Sequence, residues 1–537
     1  MRDGVFHVEH PPKTATIIAM EKRPCSLSFP TRRQAIQGTL AAAAALLSGC
    51  GSGPAAGSSG SSGGGTSGGA SQQPTPSGPA VQASLSVSAT VAGAIGTAFA
   101  GLSYEKSSLY EPLFTGANSN LIGLFKRLGT GLLRIGGNSV DRNVWTPGGV
   151  GQTAGQIAPP DVDALAAFLQ ATGWKCLYGV NLGGSGPAPY TSGSLVAATT
   201  PALAAAEVAY AASKLGTSLY GIEIGNEPDL YGSTYYTGAT WNLSTLEAVW
   251  EQFRTAIVAQ TPGVTVTGPA DAGNESKWTV PFGQWATSSN IALLTQHYYR
   301  GNGQSASSTA ANLITPDSTL VSDLATLNAG AQSIGVPYRM SECNSYYNGG
   351  ASGVSNSYAS SLWVIDYLFN CAQGGAAGVN FHGGGDGDGY TPIADSDGTV
   401  VEARPEYYGI LFFTLAGEGN LLTTTLSAGG LNATAYAVQA ASGDLNLIVN
   451  NKDLSNNLSL SIQLPQSASS ATLLELTQLS AGASGPELTA TSGVTIQGAG
   501  VGADGSFSPG SAYTLTAGGT RLSCYVPALS AVLIQIA

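Results

Sequence analysis

The sequence predicts a (β/α)8 barrel with an accessory antiparallel β-sandwich. Two observations carry this. Between residues 96 and 419, a short apolar run followed by a helix-length segment recurs eight times. After residue 420 the alternation stops, and short Val, Leu, Thr and Ile runs alternate with Gly, Ser and Asn turns. A doubly wound open sheet is the rival arrangement of the first pattern. No GxGxxG follows an early strand, however, so a dinucleotide site has no support.

Residues 1–49 read as an export signal. Arg32-Arg33 precede an Ala-rich apolar run that ends in Leu47-Ser48-Gly49-Cys50. The arginine pair fits a twin-arginine signal, and the last four residues fit a lipoprotein processing box. Cys50 would then be lipidated and become the first residue, with Met20 as the alternative start. The apolar run is too short to span a bilayer. Residues 50–79 are a Gly/Ser/Pro-rich tether, unable to form a core. The implied location is lipid-anchored, on the periplasmic face or outer membrane of a bacterium or at its cell surface.

Residues 80–95 contain an alternating run, Leu85–Val91, that adds a strand to the sandwich. The barrel strands of residues 96–419 read as Thr97–Tyr104, Leu132–Ile135, Cys176–Asn181, Leu219–Ile224, Val264–Gly268, Leu293–Tyr298, Pro337–Ser341 and Ala377–Phe381. Each precedes a helical segment, the fifth being the shortest, around Pro281–Thr287. Within 420–537 the sandwich strands are Ala433–Val438, Leu445–Val449, Leu458–Leu464, Ala471–Leu476, Tyr513–Leu515 and Ala531–Ile536.

Composition narrows the function. The formal net charge is -12, which argues against a nucleic-acid partner, since phosphate binding needs concentrated Lys and Arg. Only His297 and His382 lie in the folded part, and there is no His-x-x-x-His or Cys-x-x-Cys. No metal and no cofactor are therefore expected. Asp386-Gly387-Asp388-Gly389 lacks the remainder of an EF-hand loop, and no Gly-x-Ser-x-Gly elbow introduces a serine triad.

Two glutamates sit where a barrel keeps its chemistry. The fourth strand runs into Ile224-Gly225-Asn226-Glu227-Pro228, and the seventh into Met340-Ser341-Glu342-Cys343-Asn344. Both are C-terminal strand ends, the catalytic face of such barrels. Glycosidic cleavage needs one protonated carboxyl for the leaving oxygen and one ionised carboxylate to attack the anomeric carbon or activate water. Asn226 is placed to donate to a sugar 2-hydroxyl. Tyr298 is expected to hydrogen-bond Glu342 and hold it ionised. Arg134, in Arg134-Ile135-Gly136-Gly137-Asn138, is either an inner-barrel charge partner or a substrate contact. Glu105 follows the first strand, within reach of sugar hydroxyls. The loops Ser345–Gly350 and His382–Tyr390 offer tyrosine hydroxyls and glycine N–H groups. These can hold a carboxylate without positive charge, or they are flexible loops with stacking tyrosines.

The chain resembles glycoside hydrolase family 79, most closely its bacterial β-glucuronidases. The resemblance rests on Gly101-Leu102-Ser103-Tyr104-Glu105, Leu133–Ser139, Gly225-Asn226-Glu227-Pro228 and Ser341-Glu342-Cys343-Asn344-Ser345, and covers roughly residues 81–537. It implies a retaining exo-acting enzyme that releases terminal β-D-glucuronic acid, or its 4-O-methyl form, from glycosides or polysaccharide side chains. Glu227 would be the acid/base and Glu342 the nucleophile. Tyr347, the Gly349 N–H and Tyr390 would bind the uronate carboxylate, with Glu105 on the far side of the ring. Asn138 joins the substrate contacts and His382 the orienting groups. Heparanase-like endo-enzymes belong to the same family, but this acidic composition disfavours a sulfated chain. The other readings are an arabinofuranosidase or β-xylosidase built on the same glutamate pair, and a non-catalytic carbohydrate-binding lipoprotein.

The anchor reading is directly testable. Cys50→Ala should leave the signal unprocessed or release the protein from membranes, and intact mass of membrane-extracted protein should show lipid on residue 50. Residues 20–49 still attached without lipid would overturn it.

Overall fold

The structure is a computed structural model that describes residues 71–185, 196–237 and 239–537. The export signal, Cys50 and most of the tether lie outside these residues. Among the described residues no helix is long and apolar enough to cross a membrane.

Eight parallel strands close into a barrel in chain order: Ala100–Glu105, Leu132–Gly136, Lys175–Val180, Leu219–Ile224, Val266–Asp271, Leu293–Tyr299, Tyr338–Asn344 and Val379–Gly383. Nearly every strand residue is buried, as expected of parallel strands covered by helices outside and packed side chains within. The helices begin where local chemistry directs. Asn118, Thr200, Asn242 and Asp317 each accept a backbone N–H of the first turn of the helix they precede. Pro159, Pro201 and Pro405 occupy first-turn positions, where a missing N–H costs nothing.

Two strands run three residues further than the sequence reading. The fifth was expected to end at Gly268, before a proline that cannot donate to the ladder. It runs on to Asp271 instead, because the Thr295 hydroxyl accepts the Ala270 N–H (3.0 Å) across an irregularity in the pairing. The seventh continues beyond Ser341 to Asn344, which places Glu342 inside the strand.

The other layer is a curled, mostly antiparallel ten-stranded sheet. The strand Ala80–Ile95 pairs antiparallel with Gly419–Ser427 and parallel with Asn457–Ala468, so the segment before the barrel belongs to the sheet formed after it. Its inward residues Leu85 and Val87 share one apolar core with Leu447, Leu473, Leu522 and Ile534. Residues from strands distant in the pairing order meet there because the sheet folds over itself.

The sheet is locked to the barrel at Asp366, on the helix Tyr358–Gln373 behind the seventh strand. Its carboxylate accepts from Thr434 Oγ1 (2.6 Å), Tyr436 Oη (3.1 Å), Asn450 Nδ2 (3.0 Å) and the buried Lys452 Nζ (2.6 Å). Removing one partner of a buried charge pair strands the other. Asp366→Ala should therefore cost about 3 kcal/mol, seen as a lower midpoint in denaturant unfolding, while Lys452→Met in the same background should recover part of the loss.

A buried acid also sets a pH dependence. Glu406 opens the helix Pro405–Leu415, and its Oε2 accepts from Asn344 Nδ2 (3.1 Å). Its Oε1 has no partner among the described residues. Burial pushes this carboxyl from 4.5 up to about 8, against the opposing Asn344 hydrogen bond. Between those values the native chain holds a proton that the unfolded chain has released. Stability from this group is thus complete below about pH 4.5 and is lost as pH rises through 8. Glu406→Gln should flatten that decline, which Tm measured against pH for both proteins will show.

Candidate active site

The site is built on Arg134. This side chain is wholly enclosed within the barrel. A glycine must follow two residues later, because a Cβ at 136 would lie 2.4 Å from the guanidinium carbon. Nε donates to Glu223 Oε2 (2.6 Å), Nη1 to Glu342 Oε2 (2.7 Å) and Nη2 to Asn226 Oδ1 (2.8 Å). Of the two roles the sequence left open, the structure places Arg134 as the inner-barrel charge partner, with no exposed atom to meet a substrate.

This arginine orients both neighbours. A guanidinium only donates, so the Asn226 oxygen must face it. The Asn226 amide NH2 is thereby turned toward Asn138 Oδ1 (3.5 Å) and the cleft, the orientation a sugar hydroxyl acceptor needs. Glu342 is held on its other oxygen by the Tyr299 hydroxyl (2.8 Å). Burial alone would raise the Glu342 carboxyl. His382, His297, Arg134 and the Tyr299 hydrogen bond together overcome it and hold the group well below the usual carboxylate range.

Tyr299, not Tyr298, makes this contact. Side chains alternate along a strand, so His297 and Tyr299 point inward while Tyr298 points to the helical layer. There its hydroxyl meets Asp317 and its ring stacks on Tyr367. The sequence reading ended this strand one residue early and thereby chose the wrong tyrosine.

Glu227 follows the fourth strand at φ +51°, a left-handed conformation that non-glycine residues seldom adopt. Its N–H donates to the Ala270 carbonyl (2.8 Å), and Oε1 lies 3.1 Å from His297 Nδ1. Oxygens of Glu227 and Glu342 come within 4.8 Å of each other, with His297 between. Asp229 stands beside them. Burial first, and then the Glu227 charge, push it up to about 6, while the Ala272 N–H and His297 pull the other way.

Glu227, His297 and Glu342 are also the one three-residue group among the described residues spaced to hold a metal ion. The Arg134 guanidinium already occupies Glu342 there, and a second cation would be repelled at that distance. The donor set suits a proton-transfer pair better than a metal.

Glu227 and Glu342 open into a cleft of about 670 Å³. Asn138, Asn226, Tyr347, Gly349 and Tyr390 line it as well, so the structure gathers most of the residues chosen from sequence. The loops of the seventh and eighth strands are pressed together: Tyr390 N–H donates to the Gly349 carbonyl (3.2 Å), and a Cβ at Gly389 would lie 1.7 Å from that oxygen. Gly349 itself has φ +80°. Glu105 and His382 are not on the cleft wall. Glu105 accepts from the Ser139 N–H (2.7 Å), and a Cβ at Gly137 would come within 2.5 Å of its carboxylate. His382 lies 3.7 Å from both Glu105 and Glu342, and these two charges raise its pKa despite burial, which lowers it.

Sequence reasoning missed Glu223, Tyr299 and the inward aim of His297. A charged residue inside the apolar run Leu219–Ile224 was the available signal for Glu223. Strand parity was the signal for the other two.

No protein-family model matches the chain. A β-glucuronidase of Aspergillus niger is 26% identical over an alignment 246 residues long that covers 40% of this chain and 44% of the fungal protein, so the match spans less than half of that relative. Among solved structures, a 4-O-α-L-rhamnosyl-β-D-glucuronidase from Fusarium oxysporum 12S superposes with a TM-score of 0.67 at 20% identity, over 84% of this chain and 99% of that one. A family 51 arabinofuranosidase from Xanthomonas axonopodis pv. citri gives 0.58 at 15% identity, over 85% and 100%. A family 44 xyloglucanase from Paenibacillus polymyxa gives 0.57 at 11%, over 85% and 99%. The chain thus shares the barrel-plus-β-domain fold of glycosidases from several families, and over part of its length its sequence is similar to a fungal β-glucuronidase.

Proposed function

We propose that the protein is a retaining, exo-acting glycoside hydrolase that releases terminal β-D-glucuronic acid. The observation that carries this is the pair of facing carboxyls, within 4.8 Å, under a cleft whose far wall is Tyr347, Gly349 and Tyr390. That spacing is on the retaining side, since such pairs stand about 5–5.5 Å apart in retaining enzymes and about 6.5–9.5 Å apart in inverting ones. The similarity to a fungal β-glucuronidase supports the sugar assignment.

In this reading Glu342, kept ionised, attacks the anomeric carbon as Glu227 passes its proton to the departing oxygen. Once Glu342 is esterified its charge is gone. Glu227 then takes a proton from water, which attacks the same carbon and frees Glu342. The Asn226 NH2 donates to the 2-hydroxyl. Tyr347, Tyr390 and the Gly349 N–H, which has no partner among the described residues, receive the uronate carboxylate. Tyr299 and Arg134 hold the nucleophile. The exported protein works from a lipid anchor at Cys50.

A panel of aryl glycosides tests the reading. The β-D-glucuronide should be cleaved far faster than the β-D-glucoside, β-D-xyloside or α-L-arabinofuranoside, and NMR should show the β-anomer of glucuronic acid first. Glu342→Ala should lose roughly 10³-fold or more on every substrate, and Glu227→Ala less on substrates with good phenolate leaving groups. Tyr347→Phe should lower kcat/KM on the glucuronide by about 10- to 100-fold, the worth of one charge-assisted hydrogen bond, and spare any glucoside turnover. Equal turnover of glucuronide and glucoside would move the assignment to a neutral sugar. The α-anomer appearing first would replace retention by inversion.

A further inference from the structure

The cleft has two walls of different chemistry. The wall from the seventh and eighth strands carries uncharged donors. The opposite wall comes from the turn Asn138–Arg142 and the segment Leu230–Tyr235, which continues from Glu227. On it stands Arg142, the one cationic side chain lining the cleft among the described residues. Arg142 is exposed, and its neighbour is the Tyr235 hydroxyl rather than an acid. Arg254, Arg300 and Arg404, by contrast, each pair with a carboxylate.

The turn that presents Arg142 is firmly held. Its neighbour Asp141 is fully buried and accepts the N–H groups of Leu182 and Gly183 (both 2.9 Å) and the Tyr231 hydroxyl. With Asp141 fixed inward, the next side chain faces the cleft. The Tyr231 hydroxyl also accepts the Asn226 N–H (3.3 Å), so this turn and the segment carrying Glu227 are one mechanical unit.

We propose that Arg142 and Tyr235 form a second subsite, which recognises a carboxylate on the leaving-group portion of the substrate. The inference rests on the reading above, in which Glu227 protonates the leaving oxygen. That oxygen must come within hydrogen-bond reach of Glu227, and the wall flanking Glu227 on its own segment is Leu230–Tyr235. The other charges lining the cleft, Glu227, Asp229 and Glu342, are acidic. A guanidinium with no carboxylate partner among the described residues is the feature that draws an anion, and its planar fork matches a carboxylate through two parallel N–H donors. The exposed Leu230 supplies apolar surface for the ring that bears it. The favoured substrate then carries a carboxylate on each side of the scissile bond.

The test compares matched leaving groups on one glucuronide. One pair is the 3-carboxyphenyl and 3-carbamoylphenyl β-D-glucuronides; the other is glucuronic acid β-linked to glucuronic acid and to glucose. The wild type should favour the carboxylate member by roughly tenfold in kcat/KM, expressed in KM and weakened by salt. Arg142→Ala should abolish the preference, and Arg142→Lys should retain part of it. A preference in the disaccharide pair alone assigns the subsite to a sugar acid; one in both pairs assigns it to any carboxylate-bearing aglycone. No preference in the wild type, or an equal loss on both members in Arg142→Ala, overturns the subsite while leaving the glucuronidase reading intact. Failure to cleave even the carbamoyl glucuronide overturns that reading and the subsite with it.

Discussion

One buried cation organises this molecule's chemistry. Arg134 lies inside the barrel, bonded to Glu223 and Asn226 of the fourth strand and its end and to Glu342 of the seventh. Enclosing a guanidinium is costly unless its donors are met and its charge is balanced. Here two carboxylates and an amide oxygen meet it, across strands that face each other over the barrel axis. The same bonds that make the arginine tolerable fix one oxygen of Glu342 and the flip of Asn226. Stability of the barrel interior and preorganisation of the site are therefore a single arrangement. Gly136 exists to leave that arrangement room.

The β-domain reaches the site through packing. Asp366 ties the helix Tyr358–Gln373 to the sheet, and Tyr367 of that helix stacks on Tyr298 and lies beside Cys343. Cys343 is the residue next to Glu342. The sheet thus braces the outer surface of the strands that present Tyr299 and Glu342, while the inner surface is held by Arg134. Joining the strand Ala80–Ile95 to the strands after residue 418 ties the segment before the barrel into the same brace.

The far wall of the cleft depends on backbone approach. The loops after the seventh and eighth strands meet at Gly350 and Gly389, where a Cβ would collide with the Tyr390 amide and the Gly349 carbonyl. That contact brings Tyr347 and Tyr390 to one side of the mouth, with Tyr299 between them at ring distances of 6.5 and 5.7 Å. Glycine here supplies close contact, not looseness.

The barrel, the change to β-structure and the two glutamates were legible in the sequence because each follows a local rule. Apolar runs of strand length alternate with helix-length segments, and both glutamates stand toward the C-terminal ends of strands, where a barrel opens its cleft. The strand before the barrel was legible for the same reason, by its alternation. What sequence could not decide was parity and pairing. Tyr298 and Tyr299 are adjacent tyrosines, and one residue of strand length chooses which of them reaches Glu342. Arg134 could be assigned to the interior only when Glu223, 89 residues away, was seen to meet it. The exposed Arg142 carries no periodic signal at all; its place in the cleft follows from Asp141 being tied down by the strand-three loop and Tyr231. Local pattern determines which elements form and where their ends fall, whereas which side chains meet across a closed barrel is decided by strand register and long-range hydrogen bonding, and these exist only in the assembled fold.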